Sequence, residues 1–109
     1  MDVPFDFNEH QRKHEFTKSG TGYFRVMPRI TCADGFSLSV QSSEFHYCLP
    51  RVALYDHYTH VEVGFPSEPV PELMEWIELT KSEPTDSVYG YVPVEVVNAV
   101  INAHGGLKL

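Results

Sequence analysis

The chain has little of what small enzymes and secreted scaffolds are built from. It holds two cysteines, Cys32 and Cys48, too few for a disulfide framework. It has no phosphate-binding glycine loop, no HExxH, no CxxC pair and no GxSxG elbow. That removes the motif-bearing nucleotide, zinc-protease and hydrolase readings, while an enzyme with a site of another pattern stays open. No apolar run approaches membrane-spanning length. The opening MDVPFDFNEH is acidic, with no basic segment before an apolar one, so no secretory signal is expected. An intracellular, cytoplasmic chain with both thiols reduced is the expectation. Internal repeats and low-complexity tracts are also missing.

Positive charge is scarce, and its scarcity is uneven. Eight Lys and Arg face fifteen Asp and Glu, a net charge of −7. Residues 1–51 carry six of each sign, whereas residues 52–109 carry nine acids against Lys81 and Lys108. Direct binding of the second half to a nucleic-acid backbone is disfavoured, because phosphates are repelled. A basic partner is attracted. Ordinary solubility explains the same excess without any partner.

What is present fits one folded domain. At 109 residues the chain supports a single core, with little area left for a deep cleft. The clearest unit is residues 87–106, SVYGYVPVEVVNAVINAHGG, read as a strand running into a helix. Val88, Tyr89, Tyr91 and Val92 favour a strand. Pro93 suits a first helical position, and Glu95 meets the positive end of the helix dipole. Pro93, Val97, Val100, Ile101 and His104 recur at helical spacing, with Val96, Ala99 and Ala103 widening the stripe. Asn98 and Asn102 mark the expected wet side, and Gly105–Gly106 the stop. A helix this short, rich in β-branched residues, needs a sheet to lie on.

Upstream, Asp34-Gly35 between ITC and FSLSV is hairpin chemistry, with Ile30 and Cys32 expected on one face. Tyr23 to Cys32 reads as a strand interrupted by Pro28. Residues 59–65, THVEVGF, alternate as another strand, and Phe45, Tyr47 and Leu49 alternate in a shorter extended piece. LMEWIEL at 73–79 fits a short helix or turn, or else a strand antiparallel to 87–92. Residues 1–22 read as a weakly ordered arm, with Asn8 capping a short helix over EHQRKHEFTK. The expected architecture is α+β: an antiparallel sheet of about four strands within 23–109, covered on one face by the helix at 93–104.

Two chemistries are open at the level of side chains. Cys32, His46, Cys48, His57 and His60 are the candidate metal ligands, His46 and Cys48 pointing the same way if extended. Their spacing matches no paired zinc module, and scattered histidines with a buried thiol account for them equally. Alternatively Cys32 or Cys48 is a nucleophile with a histidine base, Asp56 orienting His57. No cofactor is called for. Tyr47, Tyr55, Tyr58, Trp76, Tyr89 and Tyr91 outnumber what one small core requires. Tyrosine and tryptophan beside acids are typical of protein-binding surfaces, which nominates Trp76, Tyr89 and Tyr91 with Glu72, Glu75 and Glu78. Packing of both tyrosines on a second sheet face is the alternative.

Three stretches together, ITCADGFSLSVQ at 30–41, VEVGFPSE at 61–68 and VYGYVPVEVVNAVINAHGG at 88–106, resemble small proteins encoded in tailed-phage and prophage genomes. The likeness covers residues 30–106 and brings no activity with it. It implies a phage or prophage origin and action in the host cell. Phage accessory proteins of this size and acidity often bind a host protein, sometimes imitating nucleic-acid charge. The expectation is a non-enzymatic acidic binding module, such as an inhibitor of a host defence or nucleic-acid-handling protein, with a basic host partner. A small zinc-binding or cysteine-dependent enzyme is one alternative. A structural virion or assembly protein, seen as a symmetric oligomer, is the other, and a homodimer is open.

Overall fold

In a computed structural model the described residues are 4–14, 17–19, 22–24, 27–53, 55, 57–78 and 83–109. Two antiparallel sheets are present among them. A two-stranded ribbon pairs β1 (Thr17–Ser19) with β2 (Gly22–Phe24), and a four-stranded sheet has the order β3-β4-β5-β6. Its strands are Ile30–Thr31, Ser37–Gln41, His60–Gly64 and Val88–Pro93. The last runs directly into α2 (Val94–Ala103), so the fold is α+β with the C-terminal helix on the sheet.

The Asp34-Gly35 signal forms the β3–β4 hairpin with Ile30 opposite Leu38. Gly35 sits at φ +96°, which a side chain would resist. The Asp34 carboxylate closes the turn by accepting from the Phe36 amide at 2.9 Å. Ile30 and Cys32 share the buried side as expected, and Leu38 and Val40 are fully buried while Ser37 and Ser39 are half-buried. On β5, Val61 and Val63 alternate inward in the same way. The strand expected from Tyr23 to Cys32 divides at Pro28 into β2 and β3, because proline brings no N–H to a ladder.

Helix α2 buries Val94, Val97, Val100 and Ile101. Each side chain taken fully out of water contributes about 2 kcal/mol, which secures a helix too short to stand alone. The Gly105 and Gly106 amides end it by donating to Asn102 and Ile101. The chain then returns along β3, where Cys32 bridges Leu107 and the Lys108 amide donates to the Thr31 carbonyl. This return covers an otherwise open sheet edge.

The asparagines of α2 lie toward solvent as expected, Asn102 exposed and Asn98 half-buried, but both are engaged by another segment. Asn98 Oδ1 accepts from the Phe7 amide at 2.9 Å, and its Nδ2 donates to Asp6 at 2.9 Å. Asn102 holds Phe5 by both backbone groups, at 2.8 and 3.1 Å. The two residues lie one turn apart, so their amides form a ladder gripping the chain at 5–7. The exposed positions of the helix are Glu95, Ala99, Asn102 and Ala103, with Asn98 half-buried.

Residues 5–12, expected in a loose arm, lie within the fold. Phe7 is fully buried in the core, and the Asn8 side chain bonds both backbone groups of Tyr58. Helix α1 is Phe7–Arg12, capped by Asp6 rather than Asn8, and it ends well before Gly20 because Thr17–Ser19 is strand.

The ambiguous segment at 73–79 satisfies both readings in turn. Pro71–Trp76 is a 3₁₀ helix with Leu73 in the core. The chain then extends, Ile77 bridging Tyr89 and the Glu78 amide donating to Val88, so β6 gains a partner on its outer edge. No helix among the described residues is long and apolar enough to cross a membrane.

Candidate functional site

The site is organised by an irregularity in β6. Val61 pairs with Val92 and Val63 with Tyr89, so three steps along β6 span two along β5. The extra residue is a bulge, with Gly90 and Tyr91 opposite Glu62. A one-residue insertion reverses which side of a sheet the next side chain faces. Tyr89 is therefore fully buried and Tyr91 is 38% exposed. The expectation that both front one surface fails for this reason: Tyr89 packs and Tyr91 points out. Burial holds the Tyr89 phenol above its ordinary pKa, and its hydroxyl donates to the Pro84 carbonyl at 2.7 Å.

Tyr91 takes φ +56°, a left-handed conformation that costs a non-glycine residue on the order of 1 kcal/mol or more. The contact that holds it there is a hydrogen bond from its amide to the Tyr47 carbonyl at 3.0 Å. Tyr47 belongs to the segment after β4, which crosses from β5 toward β6. Leu49 bridges His60, and the Tyr47 amide donates to Glu62 Oε2 at 2.9 Å. The Tyr47 and Tyr91 rings meet with centroids 5.7 Å apart. Gly90 lies beneath them. A Cβ there would collide with the Glu78 carboxylate and approach Tyr47 Cβ to 3.2 Å, so this close packing needs glycine.

The brief extended piece expected at 45–49 is not a strand: the chain turns and bends there, the His46 amide donating to Ser43 and the Cys48 amide to His46. Phe45, Tyr47 and Leu49 are 59%, 41% and 44% exposed, whereas Cys48 is buried. These apolar side chains are turned to water rather than into the core. Phe45 and Leu49 were not singled out from sequence for this role. Their strand-like alternation looked like core packing, and only the covering of the sheet's far side reveals otherwise.

Acidic groups border this face. Glu62 and Glu78 reach it as described, while Glu72 and Glu75 are exposed on the 3₁₀ helix that leads into Glu78. Three residues per turn align Glu72 with Glu75. Trp76 is half-buried against the core, contributing more to anchoring this helix than to an open patch.

The thiols and histidines are dispersed. Cys32 is in the core beside the C-terminal return, and burial, aided by Asp34, lifts its pKa to about 11. Burial also raises Cys48, whose Sγ donates to the Ser43 carbonyl at 3.1 Å. Both are protonated at neutral pH and are poor nucleophiles. His46 Nδ1 lies 2.6 Å from Ser43 Oγ, and burial lowers its pKa, with Arg51 adding to the shift and Glu62 opposing it. His57 and His60 line one open surface cavity of about 410 Å³ with Asp6 and Glu95. Among the described residues no three His, Cys, Asp or Glu come together as a metal site. Asp56, the expected partner of His57, is outside the described residues.

One further histidine was read from sequence only as the end of a helical stripe. His104 Nδ1 is 2.7 Å from Asp34 Oδ2, its ring stacks on Phe36 at 4.0 Å, and its Nε2 is 3.9 Å from Glu68. Asp34 is held below the usual carboxylate range by the Phe36 amide first and His104 second. Among the described residues no serine or cysteine is bonded to Nε2, and the cluster ties the end of α2 to the β3–β4 turn. A scan against protein-family models and searches of curated proteins and of solved structures find no match to this chain, so its functional reading rests on this geometry.

Proposed function

We propose that the chain is a non-enzymatic binding module of phage or prophage origin. It acts in the host cytoplasm and engages a basic surface of a host protein, such as one serving defence or nucleic-acid handling. The observation that carries the reading is the exposed Tyr47–Tyr91 ring pair, with exposed Phe45 and Leu49 two residues either side of Tyr47 and with Glu62 and Glu78 reaching Tyr47 and Gly90. Aromatic anchors with a charged rim are what a protein interface uses. The excess acid of residues 52–109 supports a basic partner and faster association with it. The raised thiols and dispersed histidines favour binding over cysteine or zinc catalysis.

Affinity capture from bacterial lysate tests this reading. Glu72→Lys, Glu75→Lys and Glu78→Lys together should abolish specific capture, and raising salt from 0.1 to 0.5 M should weaken it. Capture unchanged by both would remove the electrostatic basis of the proposal. A symmetric assembly seen by light scattering without a host partner would favour the virion-component alternative.

A further inference from the structure

The chain places one of its own cations on the candidate surface. The guanidinium carbon of Arg51 lies 5.5 Å from the centre of the Tyr47 ring, within cation–π range. Arg51 is exposed and forms no salt bridge among the described residues. It is drawn to the ring face itself. The Tyr91 ring stands beside Tyr47, tilted by 32°. Glu62 reaches the Tyr47 amide with Oε2, and the Glu78 carboxylate lies over Gly90. An exposed guanidinium thus already sits on one ring of an aromatic pair, with the Glu62 carboxylate at the Tyr47 amide and the Glu78 carboxylate at Gly90.

From this we infer that the Tyr47–Tyr91 pair is a receptor for an arginine side chain of the basic partner, and that Arg51 occupies it in the free protein and is displaced on binding. The inference rests on the proposed function and names the chemistry that the same surface reads. A flat guanidinium stacks on tyrosine and forks toward a carboxylate, whereas an ammonium is a compact and strongly hydrated charge. The site therefore distinguishes arginine from lysine at equal charge. The shortage of bases in residues 52–109 lets a basic segment approach.

The test is titration of the full chain with fluorescent hexa-arginine and hexa-lysine peptides, followed by anisotropy at 0.15 M salt. The arginine peptide should bind about tenfold tighter than the lysine peptide. Tyr47→Ala with Tyr91→Gly should erase that preference; circular dichroism shows whether the variant stays folded, and the single Tyr47→Phe, which keeps a ring, should retain it. Arg51→Gln should tighten arginine binding more than Lys108→Gln does. The latter removes the same charge beside β3, at the opposite edge of the sheet. Equal binding of the two peptides, no binding of either, a preference that survives loss of both rings, or equal gains from the two charge removals would each overturn the inference. Host capture that depends on Glu72, Glu75 and Glu78 while the peptides bind equally would leave the binding-module reading standing and defeat the arginine receptor alone.

Discussion

Tyr91 offers a comparison in which backbone and side chain separate cleanly. Its φ of +56° lies where a Cβ crowds the following carbonyl, a penalty of roughly 1–2 kcal/mol that glycine does not bear. Tyr91→Ala and Tyr91→Gly both delete the ring and its contact with Tyr47, so that loss cancels between them. What remains is the Cβ penalty, less the extra freedom glycine has when unfolded, roughly 0.5–1 kcal/mol. The glycine variant should be the more stable of the two by about 1 kcal/mol, or about 4 °C in Tm for a domain of this size. Urea unfolding of the two proteins, followed by circular dichroism at pH 7, reads the difference as a shift in midpoint at equal slope. An alanine variant as stable as the glycine variant would show that the left-handed turn carries no strain. If instead the gap appears and Tyr91→Gly also loses partner binding, strain is being held at the position that makes the contact.

Other perturbations follow from the same contacts. Asn98→Ala strands the Phe7 amide and releases Asp6, which should cost about 2 kcal/mol in chemical unfolding and expose residues 5–12 to early proteolysis. His10 and His46 both sit below their ordinary 6.5 because burial disfavours their charged forms. The unfolded chain therefore binds protons first as pH falls. Their contribution to stability is full above pH 6.5 and is lost as pH drops through their folded values, so Tm should decline across that window and His46→Gln should flatten the decline. Asp34 titrates low in the folded protein, so its contribution is present above about 3.8 and lost as pH falls through the folded value. Asp34→Asn should accordingly lower Tm at pH 7, and the difference from the parent should shrink toward pH 3. Cys32 and Cys48, buried and protonated, should react with a thiol reagent only after denaturant is added, and a fast-reacting thiol in the native protein would contradict their placement.

The elements legible in the sequence were those where one local signal sufficed. Asp34-Gly35 specified its hairpin because a turn needing positive φ admits few residue types. The helix at 94–103 was visible because its apolar stripe and glycine stop coincide. The grip of Asn98 and Asn102 on another segment was not visible, because polar side chains at helical spacing look merely solvated until that segment docks on them. That segment, 5–7, is distant in sequence and is anchored by Phe7 in the core and Phe5 packed against it. The site was partly legible. Surplus tyrosine and clustered acid pointed to a surface, but the split between Tyr89 and Tyr91 depends on a bulge. A bulge is a property of strand pairing, which no period-two reading of one strand contains. Phe45 and Leu49 were hidden for a related reason, since alternation reports two faces without saying which is outside.

The central claim is that this protein acts through the face bearing Tyr47 and Tyr91. Host capture by the double variant Tyr47→Ala, Tyr91→Gly, set beside Ala103→Arg on the exposed side of α2, tests it most directly. Binding should be lost in the first and retained in the second. Capture that persists without both tyrosines, or disappears only when Ala103 is changed, would put the working surface elsewhere.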